Sequence, residues 1–207
     1  MGTDIYGGIE YRHPGVGSDY YEGEPWITAL DLWPLYDRVD YPAFGCLFGV
    51  RNDAGFRPLA AGRGLPADVS GRLREQLGPW VTGSETAGAS WVSWAELAAL
   101  DPSSGPEHYR GRLTWWVTPG SRMLHQRFVP ADWPGDVLTR LGTPPQGLGD
   151  AAGLVEWTAG EYRCRYEPLT AGTVLGEGTG WPQVFAVVKA LADRFGDDAV
   201  RLVVAFG

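Results

Sequence analysis

The chain has 207 residues, 44% of them apolar and 20% charged, with a formal net charge of −8. That length suits one domain, and its core is large enough to be stable without disulfides or a structural metal. The acidic balance, with no basic tail, argues against nucleic acid or an anionic membrane surface as partner, and no apolar run is long enough to span a bilayer.

Residues 4–12 alternate well enough for a strand, with Ile5, Ile9 and Tyr11 on one face and Asp4, Glu10 and Arg12 on the other. Gly7 and Gly8 interrupt it, which predicts a bulge or a close backbone approach. His13–Pro25 reads as a loop and Trp26–Leu32 as a second strand. Tyr41–Val50 carries Tyr41, Phe44, Leu47 and Phe48 at helical spacing and predicts a short buried helix. After a loop over 51–67, Asp68 or Ser70 can cap a helix that runs to about Leu77, where Gly78-Pro79 is expected to end it. Ser93-Trp94-Ala95-Glu96 fits a capping box and opens a helix to about Leu100.

Asp101–Pro106 is a turn cluster and marks a weak boundary within an otherwise single domain over 1–207. Tyr109–Val117 and Arg122–Phe128 predict a hairpin, with Pro119-Gly120 at the centre of its turn. That register pairs Trp115 with Leu124 and Trp116 with Met123. It also sets Arg112 opposite Arg127, an unfavourable pair unless an anion or a bulge intervenes. Leu154–Thr158 and Tyr162–Glu167 read as strands. Trp181–Phe195 is the clearest helix, with Thr179 as cap, Pro182 in its first turn and Gly196 at its end. Val200–Phe206 is apolar enough to lie inside a sheet. The sum is an α+β fold with a mixed, mainly antiparallel sheet and several short helices.

Several blocks carry a resemblance. Met1-Gly2-Thr3-Asp4-Ile5, Glu10-Tyr11-Arg12, Phe44 to Asn52, Arg63-Gly64-Leu65-Pro66-Ala67-Asp68-Val69-Ser70, Ser90-Trp91 to Glu96 and Val200 to Val204 resemble an uncharacterised family of actinobacterial and bacteriophage proteins. Sixteen Arg against one Lys, with abundant Gly, Ala and Pro, suit a GC-rich genome of that kind. The resemblance implies no particular activity. The family often has His where Tyr6 stands and a His-Ser pair just before Ser90-Trp91; both are absent here, so roles resting on those imidazoles are not implied for this chain.

Among chemistry-bearing residues, Asp4 and Glu10 on one strand face could divide acid and base roles or hold a cation, or could form a solvated strand face. Arg63-Gly64-Leu65-Pro66 fixes a turn before a helix whose N-terminus attracts anions. Arg51, Asn52, Arg63, Asp68 and Trp91 are the candidate ligand-binding residues. Alternatively, Arg63 ties its loop to a carboxylate, Asp4 being one choice. Gly176–Gly180 lacks the spacing of a phosphate loop. His13, His108 and His125 make no metal-ligand spacing, and Ser70, Ser90 and Ser93 lack a nucleophile-elbow context. No metal site and no cofactor are expected. Cys46 and Cys164 form no disulfide framework, and the first residues form no signal peptide, so a cytoplasmic setting is expected. Two functions follow. One is a small-molecule or anion-binding pocket, with or without catalysis, built from the N-terminal strand and residues 51–70. The other is a protein-interaction factor of the immunity or anti-defence type, which would use an acidic, Trp-rich surface; ten Trp make that reading available.

Overall fold

The computed structural model describes residues 2–82, 88–118, 124–148 and 153–207. The fold is α+β, and every strand pairing among those residues is antiparallel, in two four-stranded sheets. The chain divides into two compact units. The first comprises residues 1–53, 58–100 and 175–207, and the second residues 54–57 and 101–174.

The first unit holds a sheet of order β2-β1-β8-β3, from β1 (Ile5–Arg12), β2 (Trp26–Asp31), β3 (Gly88–Ser93) and β8 (Val200–Phe206). β8 is buried along its whole length because helices cover both of its faces. On one face lies α2 (Gly71–Thr82), whose Leu73 and Leu77 pack with Val203, Ala205 and Ala89. On the other lie α1 (Tyr41–Phe48) and α6 (Trp181–Phe195). Phe44 and Phe48 meet Phe206, and Phe195 stacks on Tyr11 at 4.4 Å. A shorter helix, α3 (Trp94–Ala98), follows β3 directly, opened by the Ser93–Glu96 capping box that its sequence predicts.

Gly7 and Gly8 serve the close approach rather than the bulge. A Cβ on Gly7 would stand 2.3 Å from the Val203 carbonyl oxygen, and one on Gly8 2.8 Å from a Leu73 methyl. The register shift in this pair falls between Ile9 and Glu10 and leaves Ala29 as the extra residue in β2. Pro79 does not end α2, which runs on to Thr82. The added turn places Trp80 flat on Tyr6, with ring centroids 4.1 Å apart, and that packing outweighs the missing amide donor of Pro79.

The second unit holds a sheet of order β5-β4-β7-β6, from β4 (Gly111–Val117), β5 (His125–Val129), β6 (Val155–Ala159) and β7 (Tyr162–Pro168). With it come α4 (Gly135–Leu141) and the one-turn α5 (Ala171–Val174). Its core contains Leu113, Trp115, Val129, Trp133, Val137, Cys164 and Tyr166. The β4–β5 register is one residue away from the predicted one. Arg112 faces Phe128, Leu113 faces Arg127 and Trp115 faces His125. The shift removes the like-charge pair. Arg112 bonds Glu167 on β7 and Arg127 bonds Asp136 on α4, so the two guanidinium groups lie on opposite faces of the sheet. The predicted turn at Pro119-Gly120, with Met123, lies outside the described residues.

Candidate functional site

The strands of the first unit bring four polar residues into one row. Register places Thr28 beside Glu10, Glu10 beside Arg201, and Arg201 beside Ser93. The row crosses all four strands on the face that α2 covers. Neighbouring positions on that face, Gly8, Val203 and Trp91, are apolar and lie beneath the helix. Where α2 begins, apolar contact gives way to charge.

Glu10 has no exposed surface, and Arg201 is 4% exposed. The Glu10 carboxylate accepts the Ser70 N–H at 2.7 Å and the Arg201 Nε–H at 2.9 Å. Asp68 accepts Arg201 Nη1–H at 2.9 Å and the Trp26 indole N–H at 2.8 Å. Ser70 shares a hydrogen bond with Thr28 at 2.7 Å, and its hydroxyl accepts the Leu73 N–H at the start of α2. The guanidinium of Arg201 lies over Trp26, 3.8 Å from the ring centroid, and 5.7 Å from that of Trp91. Such a buried ion pair loses solvation that its mutual attraction only partly returns, so its geometry has to be complete.

The N-terminus of α2 is therefore already filled by the chain's own acids. Glu10 takes the Ser70 N–H, and Glu24 takes the Gly71 N–H at 2.9 Å. An exogenous anion would have to displace them. Asp68 is not the helix cap; its carboxyl is desolvated, yet the bonds from Arg201 and Trp26 hold it below its ordinary value.

Arg63 stands beside this cluster. Its guanidinium lies 4.9 Å from the Trp91 ring centroid and grips Glu96 with two bonds, of 2.5 and 3.0 Å. Its carboxylate partner is thus Glu96 rather than Asp4. The Arg63 bonds, against partial desolvation and with help from Ser93, hold the Glu96 carboxyl at about 2. Glu96 also closes the α3 capping box, so one carboxylate fixes both the 59–64 loop and a helix start.

The remaining sequence candidates lie elsewhere. Asp4 is exposed, and its backbone pairs with Gly207 at the far end of β1. Glu10 lies six positions further along the chain, about 20 Å away in extended backbone, so the two carboxylates do not act on one group. Arg51 donates to the Thr3 hydroxyl at 2.9 Å, and the Asn52 side chain lies against Gly45, both near that same far end. Three candidates, Arg63, Asp68 and Trp91, thus join Glu10 around Arg201. Arg51, Asn52 and Asp4 do not. Reasoning from sequence missed Arg201, Trp26 and Asp198. The one available signal was a lone charge inside the apolar run Val200–Phe206.

An open cleft of about 530 Å³ adjoins the cluster, lined by Trp26, Trp91, Ser93, Glu96, Asp198 and Arg201 together with Ala95 and Ala99. In the second unit a smaller cavity, about 310 Å³, is lined mainly by prolines and aromatic rings; Arg110 at its side is bonded to the Pro106 and Glu107 carbonyls. Among the described residues no group of three His, Cys, Asp or Glu could hold a metal ion, and no helix is long and apolar enough to cross a membrane.

The serines are committed to structure: Ser70 to α2, Ser90 to the Ala60 carbonyl, Ser93 to α3. His13 stacks on Tyr21 and accepts the Gly15 N–H, and His125 stacks on Trp115. Compared with known protein families, curated proteins and solved structures, the chain matches none.

Proposed function

We propose that this chain binds a small molecule in the cleft beside Arg201. The observation that carries the reading is a buried guanidinium, framed by two Trp rings and two carboxylates, that reaches the wall of an open cleft. A rigid polar group under flat apolar walls is the usual composition of a ligand site. Binding without catalysis is favoured, because the hydroxyl and carboxylate of Ser93 and Glu96 are engaged in a helix cap and an ion pair. The anion form of the reading is disfavoured, because Glu10 and Glu24 hold the α2 N-terminus. Two unbridged, buried cysteines support a reducing, cytoplasmic setting.

A thermal-shift panel of nucleosides, amino acids, sugars and aromatic acids tests the proposal. A ligand at ~100 times its dissociation constant adds about 2.7 kcal/mol. At least one compound is expected to raise the melting temperature of the native chain and not that of Trp91→Leu. A panel without any hit, or a shift retained in Trp91→Leu, counts against the cleft.

A further inference from the structure

Resting on that reading of the cleft, we infer that its ligand is a neutral, planar amide heterocycle of the guanine type. Its ring carbonyl would turn to Arg201 and its N–H groups to Asp198.

Three observations select that chemistry. The first is the donor count of Arg201. A guanidinium carries five N–H groups. Three of them are used, on Glu10 Oε2, Asp68 Oδ1 and the Asp68 carbonyl. The other two have no acceptor among the described residues, although the residue is 4% exposed and lines the cleft. A buried donor without an acceptor is unfavourable, and an acceptor oxygen on the ligand removes that penalty.

The second is charge. Two guanidinium groups, Arg63 and Arg201, face four carboxylates, Glu10, Asp68, Glu96 and Asp198, in and around the cleft. A phosphate or carboxylate would enter a field that is already negative. An uncharged carbonyl accepts from Arg201 without that repulsion.

The third is the shape and polarity of the walls. Trp91 and Trp26 line the cleft with the Arg63 and Arg201 guanidinium groups over their rings, so a planar ligand meets indole edges and guanidinium planes, and guanidinium planes also stack on flat rings. Both Glu96 oxygens are occupied, by Arg63 and Ser93. Asp198 is exposed and makes no hydrogen bond or ion pair among the described residues, which leaves it as the acceptor for ligand N–H groups. A carbonyl next to ring N–H and amino donors is the edge that guanine presents and adenine lacks.

Calorimetric titration of the full chain with guanosine, adenosine, guanosine 5′-monophosphate and benzoate tests this. Guanosine is expected to bind about tenfold more tightly than adenosine, and more tightly than either anion. Asp198→Asn, at an exposed position, is expected to weaken guanosine about tenfold with an unchanged melting temperature, and Trp91→Leu to weaken it further. If adenosine equals guanosine, or if benzoate or the monophosphate binds best while Trp91→Leu abolishes the heat, the ligand class is overturned and the cleft stands. If guanosine binds with equal affinity to both variants, or none of the four compounds binds, the inference fails; in the last case the broader thermal-shift panel decides the cleft itself.

Discussion

The buried pair of Glu10 and Arg201 gives the most demanding energetic prediction. Glu10→Leu removes one partner of a pair in which both side chains are 5% exposed or less. It leaves Arg201 with the half-exposed Asp68 alone and strands the Ser70 N–H at the start of α2. Breaking a pair of this kind costs about 3–5 kcal/mol, because one charge stays buried without a counter-ion. In a chain of this size each kcal/mol moves the melting temperature by about 2–4 °C, so the first unit should melt on the order of 10 °C lower. The double variant Glu10→Leu/Arg201→Met removes the stranded charge and replaces it with an apolar chain of similar length. It should melt above the Glu10→Leu single variant, with a coupling of about 2 kcal/mol or more between the two sites. Calorimetry and urea denaturation of the wild type, both single variants and the double measure this cycle. A Glu10→Leu shift under about 2 °C, or additive losses in the double, would refute the argument that desolvated charge dominates this row.

Other consequences are simpler. Arg63→Ala should lower stability at neutral pH by about 1 kcal/mol, since the Arg63 and Glu96 side chains keep 27% and 34% of their exposure. Glu96 is held at about 2 against an ordinary 4.5, so its stabilisation is present above pH 4.5 and is lost as pH falls through about 2. The gap between wild type and Arg63→Ala should therefore close across that window, and a constant gap in acid urea titrations would contradict the pairing. Gly7→Ala forces a Cβ to 2.3 Å from the Val203 carbonyl oxygen. It should destabilise by about 1–3 kcal/mol or more, and an unchanged denaturation midpoint would show that the β1–β8 approach is looser than described. Burial pushes the Cys46 thiol up to about 12 and the Cys164 thiol up to about 11, so neither should react with an aromatic disulfide reagent at pH 8 until urea unfolds the chain. Rapid labelling of the native protein would argue against the burial of either thiol.

Elements with strong local chemistry were readable from sequence. The α6 helix has a proline in its first turn and a glycine at its end, and both act locally. The Ser93–Glu96 box likewise opens α3 without help from the rest of the fold. The α+β class followed from the sum of such segments. What tertiary contact decides was less legible. The extra turn of α2 past Pro79 depends on Tyr6, far away in sequence. The β4–β5 register depends on β7 and α4, which take up Arg112 and Arg127 on opposite faces. The site shows the same division. Arg63, Asp68 and Trp91 stood out through their rigid Gly/Pro neighbours or ring size. Arg201 stood as a lone charge inside an otherwise apolar strand, and only the four-strand register turns it toward Glu10 and Ser93.

The most direct measurement is a crystallographic screen in which crystals of the protein are soaked with small planar fragments. Density is expected in the cleft between Trp91 and Asp198, with an acceptor atom within hydrogen-bonding distance of the Arg201 guanidinium. Fragments that fill other surfaces while this cleft stays empty, or that bind there without touching Arg201, would contradict it.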